Sequence, residues 1–395
     1  MSGRKDFANV AAGFSKEFGV KPEGCLFSPG RLEILGNHTD HNHGSCIVAG
    51  CSLGIRAAYR KAEQVTIVSE GYGKIEFPLS DLASKESEKG TTLALSKGVL
   101  KGLSDKGYRI GGFQAFINSD IFPGAGVSSS AAYELFVVET VNILYNEGKI
   151  PCLEKAKVGQ YAENVYFGKA SGLLDQCGSS FGGVQYLDFH NPNDFRVTPM
   201  AFPKWLPHII LVNPGSSHAG LSDLYSDMPR DMWLVADKIF HKKYLGEVEN
   251  PAEALLLLSK PIAGLPERSR LRAIHFFSED ARVAAAKEVF SRGDLQGFLA
   301  LERATEKSQE QYLQNVMIPG HYEGSPLEAV RRAEEIIPEG ASRVMGGGLV
   351  GSIICFVPEG KRESFIKKMS SYYGPKAVVE VSIPPHGAGR VDDAI

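Results

Sequence analysis

The sequence predicts an α+β fold, because segments with strand patterns and segments with helical patterns alternate irregularly along its 395 residues. The strand patterns cluster before residue 120 and return after residue 350, whereas 221–315 is largely helical. We find no internal repeat and no low-complexity segment. With 43% hydrophobic residues, a chain of this length can build one large core or two smaller ones.

Four strands are expected in the first third of the chain. Residues 25–28 have the composition of a short buried strand that ends at Pro29, and 46–59 are rich in Val, Ile and Ala. Residues 64–69 and 112–118 alternate apolar and polar side chains, which is typical of half-buried strands.

Helices are expected from the serines after Val127 onward, because apolar residues recur there at helical spacing. A second helical run covers 153–166, and the glycines that follow it predict a loop leading into a further helical turn. Strand patterns reappear at 351–357 and at 376–383.

A domain boundary is expected near residue 205. Pro203 and Pro207 bracket a break in the pattern, and the strand-like segment 208–213 follows them. We therefore predict an N-terminal domain of residues 1–205 and a C-terminal domain of residues 206–395.

The composition excludes several classes of protein. The net charge is −3 and no dense basic block is present, which argues against a nucleic-acid-binding face. The six cysteines form no CxxC pair, so zinc and thioredoxin-type sites are disfavoured and reduced thiols are expected. The chain has no signal-peptide pattern and no apolar stretch of the roughly 18 residues that a membrane span needs. We expect a cytoplasmic monomer or weak dimer that binds a small molecule, with neither a membrane nor a nucleic acid as its partner.

The segment 123–132, PGAGVSSSAA, lies between a predicted strand and a predicted helix. Its glycines permit positive φ angles that turn successive N–H groups toward one point, and the helix adds its N-terminal amides and dipole. Hydroxyl groups in the first turn can bind phosphate oxygens or a magnesium ion. No Lys follows the last glycine, so this is not a Walker A loop. The structural alternative is a glycine-rich turn with a serine cap.

The segment 29–40, PGRLEILGNHTD, supplies Arg31, Asn37, His38 and Asp40 within ten residues. A sugar needs fixed donors and acceptors around its hydroxyl groups, and guanidinium, amide, imidazole and carboxylate groups provide them. A solvated turn capped by Asn and Asp is the structural alternative. Together, a phosphate-binding and a polyol-binding segment indicate a small-molecule kinase.

Two further features are weaker on their own. The glycine run 346–348 precedes a predicted strand and indicates either close approach of the backbone to another group or a flexible loop. Asp175 lies among apolar residues, and only a cationic partner such as Arg31 would give it a catalytic role.

The three glycine-rich or polar segments, in this order and spacing, resemble the GHMP kinase superfamily and, within it, the galactokinase family. Residues 30–40, GRLEILGNHTD, are similar to the family signature GRxNLIGEHTDY, and 123–132 are similar to PxGxGLSSSAA. Residues 342–351, SRVMGGGLVG, are similar to SRMTGGGFGG. The resemblance also covers 162–164, 172–176 and 218–225, so it extends over nearly the whole chain.

The resemblance implies a two-domain GHMP kinase fold with the active site in the cleft between the domains. The N-terminal domain would be ribosomal-protein-S5-domain-2-like and the C-terminal domain ferredoxin-like. It further implies that ATP and Mg²⁺ are required, and that the γ-phosphoryl group is transferred to the anomeric C1 hydroxyl of galactose.

The resemblance also assigns roles to individual residues. Asp175 would be the catalytic carboxylate and Arg31 its cationic partner, while Ser130 and Glu163 would hold magnesium. The residues expected to contact the nucleotide are Gly124, Gly126, Ser128, Ser129, Ser130, Gly346 and Gly347. Those expected to contact the sugar are Asn37, His38, Asp40, Gly172 and Tyr225.

The chain departs from the signature at Asn37, where the family has Glu, and at His41, where it has Tyr. Losing a charged acceptor should weaken a sugar hydroxyl contact by about 1.5–3 kcal/mol. It would also remove a repulsion against a sugar acid, and His41 or His43 could add a donor. Galactose is therefore the expected substrate and galacturonate the alternative. A sugar and ATP sensor without activity, or another GHMP kinase, is a further alternative.

Overall fold

The computed structural model describes residues 2–169, 171–191, 194–201, 205–215 and 222–391. In chain order its helices are α1 (Ser2–Phe18), α2 (Thr92–Asp105), α3 (Ser129–Tyr145), α4 (Cys152–Tyr161), α5 (Leu174–Phe181), α6 (Ser222–Phe240), α7 (Pro251–Leu258), α8 (Glu267–Arg292), α9 (Leu295–Ser308), α10 (Pro326–Ile336) and α11 (Arg362–Tyr373). Its strands are β1 (Gly24–Leu35), β2 (Ser45–Ala62), β3 (Val65–Ser69), β4 (Gly73–Phe77), β5 (Gly112–Ser119), β6 (Val184–Asp188), β7 (Arg196–Met200), β8 (His208–Val212), β9 (Ala341–Val344), β10 (Ile353–Val357), β11 (Val378–Val381) and β12 (Gly389–Arg390). The predicted α+β class is confirmed.

Two sheets organise the molecule. The first has the order β12-β1-β2-β5-β3-β4. Strand β5 pairs with the second half of the long strand β2, and β6 pairs with residues 45–49 of β2 and with β7. The second is antiparallel with the order β11-β8-β10-β9, and α10 and α11 pack against it. A four-stranded antiparallel sheet with two helices packed on it agrees with the ferredoxin-like C-terminal domain that the resemblance implied.

Strand β1 does not end at Pro29 as expected but continues to Leu35. A register shift against β2 between Pro29 and Gly30 accommodates the proline, which has no N–H to donate. At this shift the N–H of Arg31 donates to the carbonyl of Val127 at 2.8 Å, and a side chain at Gly30 would collide with that carbonyl. The irregularity therefore brings the polyol-binding segment against the phosphate-binding segment.

The other sequence-predicted strands are confirmed as β2, β3, β5, β8, β10 and β11, and the helix predicted from the serines is α3. The predicted helix at 153–166 is α-helical only in its first part. Helix α4 stops at Tyr161, and the wider π-helical turn Ala162–Phe167 follows it. Such turns often occur at functional sites because they displace a side chain from the regular helical row.

The predicted boundary falls where the chain moves between sheets, because β7 belongs to the first sheet and β8 to the second. Residues 202–204 lie outside the described part, and the division at 205 stays a prediction. The chain later returns to the first sheet. Ala388 donates its N–H to the carbonyl of Ser179 in α5 at 2.9 Å, and β12 then pairs with β1. We call residues 386–390 the return segment.

All six cysteines are free thiols and five of them are buried, as expected for a chain without a disulfide framework. Among the described residues, no helix is both long enough and apolar enough to cross a membrane.

Candidate active site

One cavity of about 800 Å³ collects the predicted site residues. Every one of them except Glu163 lines it: Arg31, Asn37, His38, Asp40, Gly124, Gly126, Ser128, Ser129, Ser130, Gly172, Asp175, Tyr225, Gly346 and Gly347. Glu163 lies fully buried behind Ser130 and accepts a hydrogen bond from its hydroxyl at 2.8 Å. Segments far apart in the sequence therefore meet at one site.

The carboxylate of Asp175 lines the cavity and is bonded to two of the predicted segments. Arg31 Nε donates to Asp175 Oδ1 at 2.7 Å, and Ser128 Oγ donates to Asp175 Oδ2 at 2.8 Å. A second nitrogen of Arg31 donates to the carbonyl of Gly126. The sugar motif and the phosphate loop are thus joined through Asp175, and the expected Asp175–Arg31 pair is present.

Electrostatics keep Asp175 ionised. Burial alone would raise the pKa of this carboxyl, but the charges of Arg31 and Lys169, together with the Ser128 hydrogen bond, outweigh burial and lower it. Two of the roughly four lone-pair sites of the carboxylate are taken by Arg31 and Ser128, so it can still accept a bond from an incoming hydroxyl group.

The phosphate loop has the backbone form that the glycines predicted. Gly124 and Gly126 have φ angles of 76° and 73°, and Ser128 adopts the left-handed region at 57°. A left-handed non-glycine residue is strained, and such strain is often found at functional sites. Helix α3 begins at Ser129, so its unpaired N–H groups face the same cavity as the loop and favour an anion there.

Glu163 and Ser130 were expected to hold magnesium. Glu163 Oε1 accepts from Ser130 Oγ and from Lys169 Nζ at 2.9 Å, and Oε2 accepts from Ser171 Oγ and Gln176 Nε2. The described residues contain no group of three His, Cys, Asp or Glu side chains that would form a complete metal cage. Mg²⁺ commonly takes one or two carboxylates together with substrate phosphates, so one carboxylate and one hydroxyl beside a phosphate loop fit this ion.

The end of the cavity that is expected to bind the sugar is built around Asp40. Its carboxylate accepts the N–H of His41 at 2.9 Å and lies so close to Gly172 that any side chain there would overlap it. Burial, followed by the charge of Asp175, raises the pKa of Asp40 to about 6. Tyr225 packs against Gly347 and donates its hydroxyl to the carbonyl of Gly348 at 3.0 Å.

A directed chain of hydrogen bonds fixes His38. Asn42 Nδ2 lies 2.9 Å from His41 Nδ1, which must therefore accept. His41 Nε2 then carries its hydrogen and donates to His38 Nδ1 at 3.0 Å, and His38 Nε2 donates to the carbonyl of Gly347 at 3.2 Å. Burial lowers the pKa of His38 to about 4 and that of His41 well below its ordinary value, so both rings are neutral.

Asn37 has a different environment from the one expected of a sugar ligand. Its Nδ2 donates to Glu33 Oε1 at 2.9 Å and to the Gly346 carbonyl at 2.7 Å, and its Oδ1 accepts from Gln309 and Asn315. An amide has two hydrogens and two lone pairs, and all four are taken within the protein. The direct sugar contact of Asn37 stays a prediction that this geometry does not favour.

Sequence reasoning missed two side chains that line the cavity and considered one that does not. Glu33 lines the cavity beside Asn37, and its signal was present, because the signature has Asn where this chain has Glu33. Lys169 also lines the cavity, but it falls outside the quoted motifs. His43, considered as a sugar donor, is absent from the cavity lining and instead stacks its ring on Tyr244 at 3.8 Å.

One wall of the cavity is apolar, and nothing in the sequence motifs pointed to it. It is formed by Ile55, Ile75, Leu95, Ile117, Ile121, Phe122, Tyr133 and Phe167. These side chains come from separate strands and helices, so only the folded chain places them beside the phosphate loop.

Comparison with known proteins agrees with this geometry. The family model described as "Galactokinase galactose-binding signature" matches residues 12–61, and "GHMP kinases N terminal domain" matches 94–183. The chain is 28% identical to a galactokinase of Enterococcus faecalis, with 92% of this chain and 93% of the relative covered. It is 29% identical to a galactokinase of Clostridium tetani, with 91% and 90% covered.

Solved structures give the same result. A galactokinase of Lactococcus lactis complexed with galactose superimposes with a TM-score of 0.83 at 26% identity, covering 96% of this chain and 98% of that one. A mevalonate kinase of Methanococcus jannaschii shares the fold, with a TM-score of 0.65 at 16% identity and 91% and 98% covered. Nothing in these comparisons supports the galacturonate alternative. In both sequence and fold, this chain is therefore similar to galactokinases of the GHMP kinase superfamily over nearly its whole length.

Proposed function

We propose that this protein transfers the γ-phosphoryl group of ATP to the anomeric hydroxyl of galactose and so makes galactose 1-phosphate. One observation supports this most strongly. Arg31 from the sugar motif and Ser128 from the phosphate loop bond to opposite oxygens of the same carboxylate, Asp175. A phosphate held by the loop and a sugar held by the motif would therefore meet at Asp175.

The two ends of the cavity suit the two substrates. The phosphates of ATP belong at the N-terminus of α3 and the loop that includes Gly124 and Gly126, where N–H groups converge. The apolar wall beside that loop suits the flat adenine ring. The sugar then lies between Asp40 and the glycine run at 346–348.

Asp175 supplies the proton acceptor. As the sugar hydroxyl attacks phosphorus, it becomes acidic, and a carboxylate within hydrogen-bond reach can take its proton. The low pKa of Asp175 keeps it ionised before the reaction. Arg31 holds the carboxylate in place and adds a positive charge where negative charge collects on the phosphoryl oxygens.

Glu163 and Ser130 would hold Mg²⁺, which when bound neutralises charge on the ATP phosphates. Gln176 keeps Glu163 in position by donating to it at 2.9 Å, and the same nitrogen donates to Glu134 at 3.0 Å. Burial, together with the nearby Glu163, raises the pKa of Glu134 well above its ordinary value. Of these two carboxyl groups, Glu163 is the one bonded to the Ser130 hydroxyl, so it is the one placed to hold the ion.

The sugar end favours a neutral sugar over a sugar acid. The carboxylates of Glu33 and Asp40 both line it, and its two histidines are neutral. A sugar carboxylate would meet the carboxylate of Asp40 there, and the nearby cations are already taken, because Arg31 is bonded to Asp175 and Arg343 to Glu33. The carboxyl group that the signature has at position 37 is present in this chain at Glu33, the hydrogen-bonded neighbour of Asn37.

The test is ATP consumption by the purified protein with Mg²⁺, comparing kcat/KM for D-galactose and D-galacturonate. We expect galactose to be preferred by roughly tenfold or more, since each like-charge contact costs a few kcal/mol. A preference for galacturonate would overturn the substrate assignment. Tight sugar binding without turnover would instead support the sensor alternative, and turnover of mevalonate but of no sugar would support another GHMP kinase.

A further inference from the structure

Lys169 lies between solvent and Glu163, the residue expected to hold magnesium. Its Nζ lies 2.9 Å from Glu163 Oε1, the oxygen that also accepts the Ser130 hydroxyl. The Lys169 side chain is 54% exposed whereas that of Glu163 is fully buried. The backbone N–H of Lys169 donates to the carbonyl of Glu163 at 3.1 Å, so the base of the lysine is fixed while its ammonium group faces the cavity.

Lys169 differs from Arg31 in its freedom to move. Among the described residues that line the cavity, Lys169 is the only lysine and Arg31 the only arginine. Arg31 is 7% exposed and bonded to both Asp175 and the Gly126 carbonyl. Among the described residues Lys169 forms an ion pair with Glu163, about half of its side chain is in solvent, and its four-carbon stem is flexible.

The ammonium group of Lys169 and a bound Mg²⁺ would compete for the same oxygen atom of Glu163. Both are attracted to the lone pairs of Oε1, and the hydroxyl of Ser130 must turn its hydrogen away before it can offer its oxygen to a metal. ATP brings several negative oxygens to the adjacent loop at the same time. A lysine displaced from Glu163 would find a new counter-charge within the same cavity.

We propose that Lys169 is a mobile counter-ion, which pairs with Glu163 while the site is empty and contacts the phosphates of ATP once Mg²⁺ occupies Glu163. This inference rests on the proposed function, because that function brings ATP and Mg²⁺ to the site. It gives Lys169 two measurable effects of opposite sign: its charge opposes the binding of the metal alone and assists phosphoryl transfer.

The first experiment titrates the nucleotide-free protein with MgCl₂ in a calorimeter. Lys169→Met removes the competing ammonium group, so we expect Mg²⁺ to bind roughly three- to tenfold more tightly than to the wild-type protein. Lys106→Met is the matched control, because Lys106 also forms a half-exposed ion pair, with Glu154 at 2.7 Å, but does not line the cavity. The control should bind Mg²⁺ as the wild type does.

The second experiment measures turnover with saturating galactose and Mg·ATP. Lys169→Met should lower kcat by roughly ten- to hundredfold, the scale of one charged hydrogen bond, with the KM for galactose unchanged. Lys169→Arg should restore most of kcat because it keeps the charge. Lys106→Met should leave kcat unchanged.

The outcomes separate the possibilities. Tighter Mg²⁺ binding combined with lower kcat supports the proposal. Unchanged Mg²⁺ binding overturns the counter-ion role, weaker binding shows that Lys169 merely holds Glu163 in place, and an unchanged kcat overturns the contact with phosphate. If the wild-type protein phosphorylates no sugar, the proposed function fails, and the MgCl₂ titration still decides whether Lys169 neutralises Glu163.

Discussion

At the scale of single residues, the site holds two carboxyl groups, Asp175 and Asp40, whose pKa values are shifted in opposite directions. Asp175 has a lowered pKa because Arg31 and Lys169 outweigh its burial. Asp40 has a raised pKa because it is buried without a cation bonded to it and faces the charge of Asp175. Environments that separate the pKa values of neighbouring carboxyl groups are typical of sites where each performs a different task.

Replacing Asp175 by Ala should lower kcat by about 10²–10⁴-fold, the usual contribution of a general base. The change leaves Arg31 with its bond to the Gly126 carbonyl and removes no buried apolar group, so the protein should remain folded. Steady-state kinetics and circular dichroism test the two statements. Near-normal turnover in this variant would remove Asp175 from the mechanism.

Acidification should lower kcat/KM for galactose below about pH 6, because Asp40 gains a proton there and the sugar loses a charged acceptor. Asp40→Asn should have a lower kcat/KM overall and no such decline. The folded-state pKa of Asp40 lies above its ordinary value of 3.8, so this group costs stability as the pH rises from about 4 to about 6.

Asp40→Asn should therefore gain stability over the wild type across that window, which thermal melts at several pH values can follow. An acid limb near pH 6 that persists in Asp40→Asn would assign the titration to another group.

At the scale of elements, two positions near the end of β1 carry the signature's amide and carboxylate residues in reversed order. The family signature has Asn at position 33 and Glu at position 37, and this chain has Glu33 and Asn37. The two side chains are hydrogen-bonded to each other at 2.9 Å, so this chain keeps one amide and one carboxylate at the two positions, and they are in contact here. Arg343 donates to Glu33 at 3.2 Å from β9 and compensates the carboxylate in its new place.

The exchange makes a strong prediction about single and double variants. Asn37→Glu alone would place two buried carboxylates side by side and should cost about 3–5 kcal/mol of unfolding free energy, as uncompensated buried charges do. The double variant Glu33→Asn/Asn37→Glu restores one carboxylate and one amide, so it should regain most of that loss and keep galactose activity. Urea denaturation of both variants provides the measurement. Equal destabilisation of the single and the double variant would contradict the pairing.

The elements also show what a sequence can and cannot predict. The α+β class, the strands β2, β3 and β5, and the start of α3 were predictable because their side-chain periodicity is local. The continuation of β1 through Pro29 was not, since a register shift against β2 depends on the partner strand. The motif residues were found from the sequence, whereas Lys169 and the apolar wall were not, because only the folded chain brings them to the cavity.

At the scale of the whole molecule, Arg343 joins the two sheets. It is fully buried on β9 and bonds to Glu302 of α9 at 2.6 Å, to the Glu33 carboxylate, and to the carbonyls of Glu33, Ile34 and Val344. These acceptors occupy all five N–H groups of the guanidinium. The wall of the sugar site and the packing of the sheets therefore share one side chain.

Arg343→Met should lower the unfolding free energy by about 3–5 kcal/mol, because it leaves Glu302 and Glu33 buried without their partner. Arg343→Lys should not rescue it, since an ammonium group has three donors and cannot reproduce the fork. The control is Arg362→Met, because its half-exposed pair with Glu380 is screened by solvent and should contribute little to stability. Similar denaturation midpoints for the Arg343 and Arg362 variants would contradict this account.

The return segment sets the order in which a newly made molecule can become active. Helix α5, which carries Asp175, is held from behind by the N–H of Ala388, and Gly387 lies so close to Ser180 that no side chain would fit there. A ribosome makes these residues more than two hundred positions after Asp175. Helix α5 therefore lacks this support until residue 388 has been made, and a chain that stops before the return segment should not consume ATP.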